Sequence, residues 1–170
     1  DIVIDLIEEC SDTYEIINHR RQTKLKFDSE DFEFPDSVAD GDALIVFSKR
    51  DVLSCAAVLQ KSGINCSVVY GALPYDARKS EVGRFLSGET KVIVATDAIG
   101  MGMNLPIRRV VFLRTSKYDG VETRVLFPEE VQQIAGRAGR YGLYNMGFST
   151  SEFDKGLIHS LYNEKVLSIK

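Results

Sequence analysis

Between residues 41 and 113 the chain alternates short apolar runs with stretches of helical spacing, and few architectures accept that rhythm. The runs lie at 43–47, 66–70, 91–96 and 109–113 and are rich in Val, Ile and Leu. Each is too short for a buried helix and branched enough for a strand. Between them, 51–62 places Val52, Ala56 and Leu59 on one helical face and meets Gly63, a stop signal. A second helix is expected over 74–86, with Pro74 in its first turn. Strands alternating with helices of this length predict βαβ units and a parallel sheet. Near-continuous apolar strands predict helices on both faces. The class is α/β, doubly wound.

The flanks are less regular. Residues 1–10 read as a short amphipathic helix and 14–18 as a strand. Residues 26–41 are polar and acidic, with Pro35 and Gly41, and read as a connector. After 113, Asp119-Gly120 between residues of β propensity predicts a hairpin insertion. Helices are expected over 129–135 and 152–162, and a last strand over 166–169. The organisation expected is therefore a connector with a short helix and strand, 1–40, followed by one α/β domain, 41–170.

Charge follows the same division. Residues 1–40 hold twelve acids and four bases, and residues 41–170 hold thirteen acids and seventeen bases, giving −8 and +4. A whole-chain charge of −4 therefore does not argue against a polyanionic partner. The 170 residues suffice for a core without staples. No apolar run reaches the roughly 18 residues of a membrane span, so no membrane partner is expected. Cys10, Cys55 and Cys66 lack metal-ligand spacing, and His19 and His159 stand alone. No metal site is expected, and an intracellular, reducing compartment is. The chain begins at Asp1 with no basic n-region, so no signal peptide is expected, and the missing Met suggests a fragment of something longer.

In open α/β sheets, ligands bind outside the carboxyl ends of the strands. The first strand is followed there by Ser48, Lys49 and Arg50, and the second by Gly71, with Arg78 one helical turn on. The third is followed by Thr96-Asp97-Ala98-Ile99-Gly100-Met101-Gly102-Met103-Asn104. Hydroxyls, backbone amides and bases along one edge suit a row of phosphates. Gly100 and Gly102 bare the backbone to close approach. Gln133-Ile134-Ala135-Gly136-Arg137-Ala138-Gly139-Arg140 carries the strongest signal. On a helix Arg137 and Arg140 would share a face. Two such guanidinium groups can grip a terminal phosphate and neutralise charge developing during transfer.

These segments resemble the motifs of superfamily-two helicases. Val46-Phe47-Ser48 is similar to motif IV, Thr96 to Asn104 to motif V, and Gln133 to Arg140 to motif VI. Tyr70-Gly71 with Arg78 resembles the motif between IV and V. Together with Lys-Tyr-Asp-Gly at 117–120, the set most resembles DExH-type RNA helicases of the mitochondrial degradosome kind. The resemblance spans about 41–150 and implies the second RecA-like domain of an ATP-dependent RNA helicase. It implies that Ser48, Gly71, Arg78, Thr96, Asp97 and Gly100 meet single-stranded RNA. It implies Asn104, Gly102 and Gly136 beside the nucleotide, Arg140 as arginine finger, Arg137 as a γ-phosphate contact and Gln133 facing ATP.

The chain contains no G-x-x-x-x-G-K-[ST] phosphate loop and no Asp-Glu box. The resemblance therefore implies that ATP is shared with a first RecA-like domain, which also holds Mg, and that these 170 residues alone are inactive. A ribonuclease complex is the further partner it implies. A non-catalytic RecA-like scaffold and a DNA helicase of the same superfamily are the competing readings. A bacterial cytoplasm, a mitochondrial matrix and a nucleus are all compatible with the residues.

Overall fold

Six parallel strands form a single sheet in a computed structural model of the chain, which describes residues 2–15, 23–28, 30–100, 103–140 and 142–164. The strands are β1 (Lys24–Phe27), β2 (Asp42–Ile45), β3 (Cys66–Val69), β4 (Val92–Ala95), β5 (Arg109–Phe112) and β8 (Met146–Ser151), in the order β1-β8-β5-β2-β4-β3. A separate antiparallel hairpin pairs β6 (Ser116–Tyr118) with β7 (Thr123–Val125). The helices are α1 (Ile2–Glu9), α2 (Lys49–Lys61), α3 (Tyr75–Leu86), α4 (Pro128–Ala135) and α5 (Lys155–Asn163). The expected doubly wound class and hairpin insertion are both present.

Side chains alternate between two faces of the sheet, and each face has its own core. Leu44, Val46, Val92, Val94, Val111 and Leu113 pack with Val52 and Leu59 of α2 and with Phe32. On the other face, Ile45, Ile93, Val110 and Phe112 pack with Phe85 of α3, Val131 and Ile134 of α4 and Ile158 of α5. Burying each such aliphatic or aromatic side chain contributes about 1.5–3 kcal/mol. The end of α2 is fixed by main-chain geometry. Gly63 takes φ +78°, its N–H bonds Gln60 O at 3.1 Å, and Ile64 N–H bonds Leu59 O at 2.9 Å. That paired closure satisfies the last carbonyls of the helix.

Four local expectations change. First, residues 24–27, of which 26–27 are read as the start of the acidic segment, form edge strand β1, paired along β8 from Lys24↔Met146 to Phe27↔Ser149. The segment that follows is tied down as well. Arg109 binds buried Asp42 twice, at 2.9 and 2.7 Å, donates to Ser37 O at 2.8 Å and lies over the Phe32 ring. Second, β8 is not among the strands expected from the sequence: Ser149, Thr150 and Ser151 form no apolar run, yet all three are buried. The helix expected from 152 consequently starts at Lys155, after Asp154 caps it by accepting Leu157 N–H at 2.9 Å.

Third, the hairpin turn spans four residues rather than the Asp-Gly pair alone. Asp119 Oδ1 accepts the N–H groups of Val121 and Glu122 at 2.9 and 3.0 Å. Fourth, Arg137 and Arg140 lie beyond α4, which ends at Ala135 with Gly136 as its cap. Of the strand expected at 14–18, Tyr14 and Glu15 are not in a strand and 16–18 lie outside the described residues. So do Met101, Gly102 and the strand expected at 166–169. Among the described residues no helix is long and apolar enough to cross a membrane.

Candidate functional site

Three loops leave the carboxyl ends of neighbouring strands β2, β4 and β3, and they carry Ser48, Thr96 and Gly71. Ser48 starts α2. Its Oγ accepts Asp51 N–H at 3.0 Å and donates to Asp51 Oδ2 at 2.7 Å. The hydroxyl is thus oriented by the helix it caps. Thr96 extends the main-chain ladder of β4, donating its N–H to Val69 O at 3.0 Å, and is buried. Its Oγ1 accepts Ala98 N–H at 3.3 Å as the chain enters a 3-10 turn, Asp97–Gly100.

Arg78 reaches back from the first turn of α3. Its Nη2 donates to Gly71 O at 2.8 Å and to Tyr70 O and Leu73 O at 3.4 Å. One guanidinium therefore fixes the shape of the loop that carries Gly71. Lys49 sits 5.5 Å from the Tyr70 ring centroid, which joins the first loop to the third.

The second half of the site is where the 96–104 segment meets α4. Gln133 Nε2 and Arg137 Nη2 both donate to the Gly100 carbonyl, the former at 3.4 Å. Gly100 is buried beneath Gln133, and a Cβ there would sit 3.3 Å from Gln133 Cγ. Arg140 Nη1 donates to the Asn104 carbonyl at 3.4 Å. Asn104 itself is exposed, and Arg137 and Arg140 are half-buried. The two arginines, placed on one helical face by spacing alone, instead turn back onto one loop.

Small residues explain that turn. Gly136 closes α4 with its N–H on Gln132 O at 2.9 Å. Gly139 takes φ +76° and donates its N–H to Ile107 O at 2.8 Å, just ahead of β5. A Cβ on Gly139 would lie 2.6 Å from Gly147 N in β8, and one on Gly147 would lie 2.6 Å from Ala138 C. The backbone carrying Arg140 thus rests directly on the amino ends of β5 and β8. The glycines of the arginine segment permit a close approach, as their size suggested, but toward the chain's own sheet.

Asp97, Lys117 and Glu130 form a cluster that sequence reading missed. Lys117 Nζ of β6 stands 2.6 Å from Glu130 Oε1 and 3.1 Å from Asp97 Oδ2. Glu130 also receives Arg124 through two bonds of 3.0 Å and Phe127 N–H at 2.8 Å. Burial alone would raise the Glu130 pKa. The hydrogen bonds from Arg124, Lys117 and Phe127 outweigh it and hold the carboxyl at about 2. The available signal was Glu130 at the third position after Phe127, where a carboxylate can bond back to the residue before the helix.

Sheet order, loop positions and the meeting of the two motif segments define an α/β domain of the RecA-like class. This chain belongs to the helicase conserved C-terminal domain family, whose model matches residues 28–142. It is 38% identical over 167 residues to the mitochondrial DExH-box ATP-dependent RNA helicase DExH16 of Arabidopsis thaliana, covering 96% of this chain and 28% of that protein. It is 36% identical over 171 residues to the mitochondrial ATP-dependent RNA helicase SUV3 homolog of Caenorhabditis elegans, covering 98% and 23%. The corresponding figures for the mitochondrial helicase SUPV3L1 of Gallus gallus are 31% over 177 residues, covering 100% and 21%. The chain therefore spans about a quarter of the length of these relatives. Among solved structures, the C-terminal domain of the DEAD-box protein Dbp5 shares the fold, with a TM-score of 0.57, 21% identity and 81% coverage of each chain.

Proposed function

We propose that the full-length protein is an ATP-dependent RNA helicase in which this domain is the second of two RecA-like units. The observation that carries this reading is the shared loop. Its start, Thr96, lies on the strand edge with Ser48 and Gly71, and its later carbonyls, Gly100 and Asn104, hold Arg137 and Arg140. One short segment thus connects a phosphate-suited edge to two guanidinium groups. The names of the relatives, ATP-dependent RNA helicases, support the same assignment.

In this reading Ser48, Gly71, Arg78, Thr96, Asp97 and Gly100 shape the surface for single-stranded RNA, through phosphate and sugar rather than base edges. Arg78 acts by holding the Gly71 loop, and Ser48 presents the amino end of α2. Arg140 is the arginine finger and Arg137 the second contact to a terminal phosphate, with Gln133 beside them. Asn104, Gly102 and Gly136 are the positions assigned to the rest of the nucleotide. The first RecA-like domain of the full-length chain holds the phosphate loop and Mg, where ATP supplies the group transferred. The arginines complete that site when the two domains close. A ribonuclease complex is the partner suggested by the degradosome resemblance. A reducing intracellular compartment agrees with three free cysteines and with the mitochondrial names of the relatives.

The test is Arg140→Ala in the full-length protein. The turnover number falls about a thousandfold or more, while affinity for a short fluorescent RNA stays unchanged. Equal loss of RNA affinity overturns the role given to Arg140. Titrating matched RNA and DNA strands at fixed salt separates an RNA from a DNA helicase. ATP turnover by the 170-residue chain, abolished in Arg140→Ala, overturns the two-domain reading.

A further inference from the structure

Helix α4 is pinned to the 96–104 segment at both ends. At its far end the pin is Gln133 on Gly100 O, followed just beyond the helix by Arg137 on Gly100 O and Arg140 on Asn104 O. Near its start the connection is ionic and passes through the hairpin. Glu130 holds Lys117 at 2.6 Å, and Lys117 holds Asp97 at 3.1 Å, next to Thr96. The Lys117 side chain is 17% exposed and Glu130 19%, so that pair is not a freely solvated surface contact, while the Asp97 end of the relay is 47% exposed.

We propose that Lys117 and Glu130 are positioning residues that transmit the state of the RNA-facing loop, through α4, to the arginines that follow it. The proposal rests on the helicase reading given above. Its physical content is the sharing of one ammonium by two carboxylates on different elements. While Lys117 is present, Asp97 and Glu130 are drawn to one cation, and a shift of Thr96 moves the start of α4 with it. Without Lys117, Glu130 keeps its bonds from Arg124 but the ionic bridge from α4 to Asp97 is gone. The arginines keep their own bonds to Gly100 and Asn104, so the helix keeps its far pins and loses the near one. Glu130 also anchors both hairpin strands, through Lys117 of β6 and Arg124 of β7, so the hairpin moves with α4 rather than independently.

The expected signature is a split between basal and RNA-stimulated turnover. In the full-length protein, Lys117→Met leaves RNA-free ATP turnover within about twofold of the parent. The stimulation given by a single-stranded RNA oligomer falls about tenfold, the size of a typical coupling between sites. Lys117→Arg, which keeps a cation between the two carboxylates, restores most of it. Glu130→Gln, which still accepts the Phe127 N–H, shows the same split as Lys117→Met. Parallel loss of basal and stimulated rates assigns these residues to folding alone and overturns the proposal, as does unchanged stimulation in both variants. A parent protein that turns over ATP but ignores RNA removes the helicase reading itself, and the coupling with it.

Discussion

Gly139 and Gly147 meet backbone to backbone, so closely that a methyl group on Gly139 would stand 2.6 Å from the Gly147 nitrogen and 2.7 Å from its Cα. The contact sets the segment before Arg140 against the first residues of β8, and neither neighbour is a flexible side chain that could swing aside. Gly139 is also held at φ +76°, where a Cβ is strained whatever the space. Gly139→Ala therefore combines backbone strain with a main-chain clash, and Gly147→Ala produces the clash alone. Each destabilises the domain by about 3 kcal/mol, with Gly139→Ala the worse. Urea unfolding of the two variants checks the order. Equal midpoints for Gly139→Ala and the parent would mean that the contact is not needed.

The ion pair between Asp42 and Arg109 belongs to the class that is costly to break. Asp42 is fully buried, receives two guanidinium bonds and also accepts Ala39 N–H at 2.9 Å. Asp42→Ala leaves a half-buried guanidinium with the Ser37 carbonyl and the more distant Asp28, 3.7 Å away, and should cost about 3 kcal/mol. Lys91 and Asp40 form a pair of similar length, 2.8 Å, with both side chains well exposed. Lys91→Ala is expected to leave the unfolding midpoint where it was, because water and salt screen such a pair. Chemical denaturation of both variants at one salt concentration makes the comparison.

Cys66 should behave as a structural thiol. Burial, with help from the Glu81 carboxylate, raises its pKa from 9.0 to about 11, and burial raises that of Cys55 as well. A raised acid pKa in the fold means stability that is complete below about pH 9 and lost as pH climbs toward 11. Below about pH 9 the thiolate fraction of Cys66 is about a hundredfold lower than in the unfolded chain. Alkylation at pH 8 followed by peptide mapping should label exposed Cys10 well before Cys66. Labelling of Cys66 at the rate found in urea would sink the idea.

The hairpin has an acid limit. Glu130 titrates at about 2 instead of the ordinary 4.5, so its contribution is present above pH 4.5 and lost as pH falls through 2. Two-dimensional NMR cross-peaks of β6 and β7 should shift across that interval and stay sharp above it. In Glu130→Gln the transition should vanish. Its persistence would assign the titration to another carboxylate.

The strands at the centre of the sheet were legible because burial on both faces leaves an uninterrupted apolar run, as in Val92–Ala95. Strand β8 was not, because the interior it enters is filled by small hydroxyl side chains. Ser151 Oγ satisfies itself on Phe112 O at 2.9 Å, while the Ser149 and Thr150 hydroxyls are buried without a protein partner. Hydropathy scores all three as surface. Strand β1 alternates Lys24, Leu25, Lys26 and Phe27, a fair half-buried pattern, but it is only four residues long and its second half opens the acidic segment read as linker. Within the candidate site, Ser48, Gly71 and Thr96 could be placed because strand ends fix loop positions. The direction taken by Arg137 and Arg140 could not, since it depends on Gly139 touching a strand the sequence did not announce.

Strand to glycine to arginine is a path made only of main chain. Gly139 hangs from the Ile107 carbonyl and leans on Gly147, with no packed side chain in either contact. The reach of Arg140 is therefore inherited from the spacing of β5 and β8, which every parallel sheet fixes at nearly the same value. Core residues on both sides can be exchanged, enlarged or shrunk over long divergence, and this arginine keeps its address.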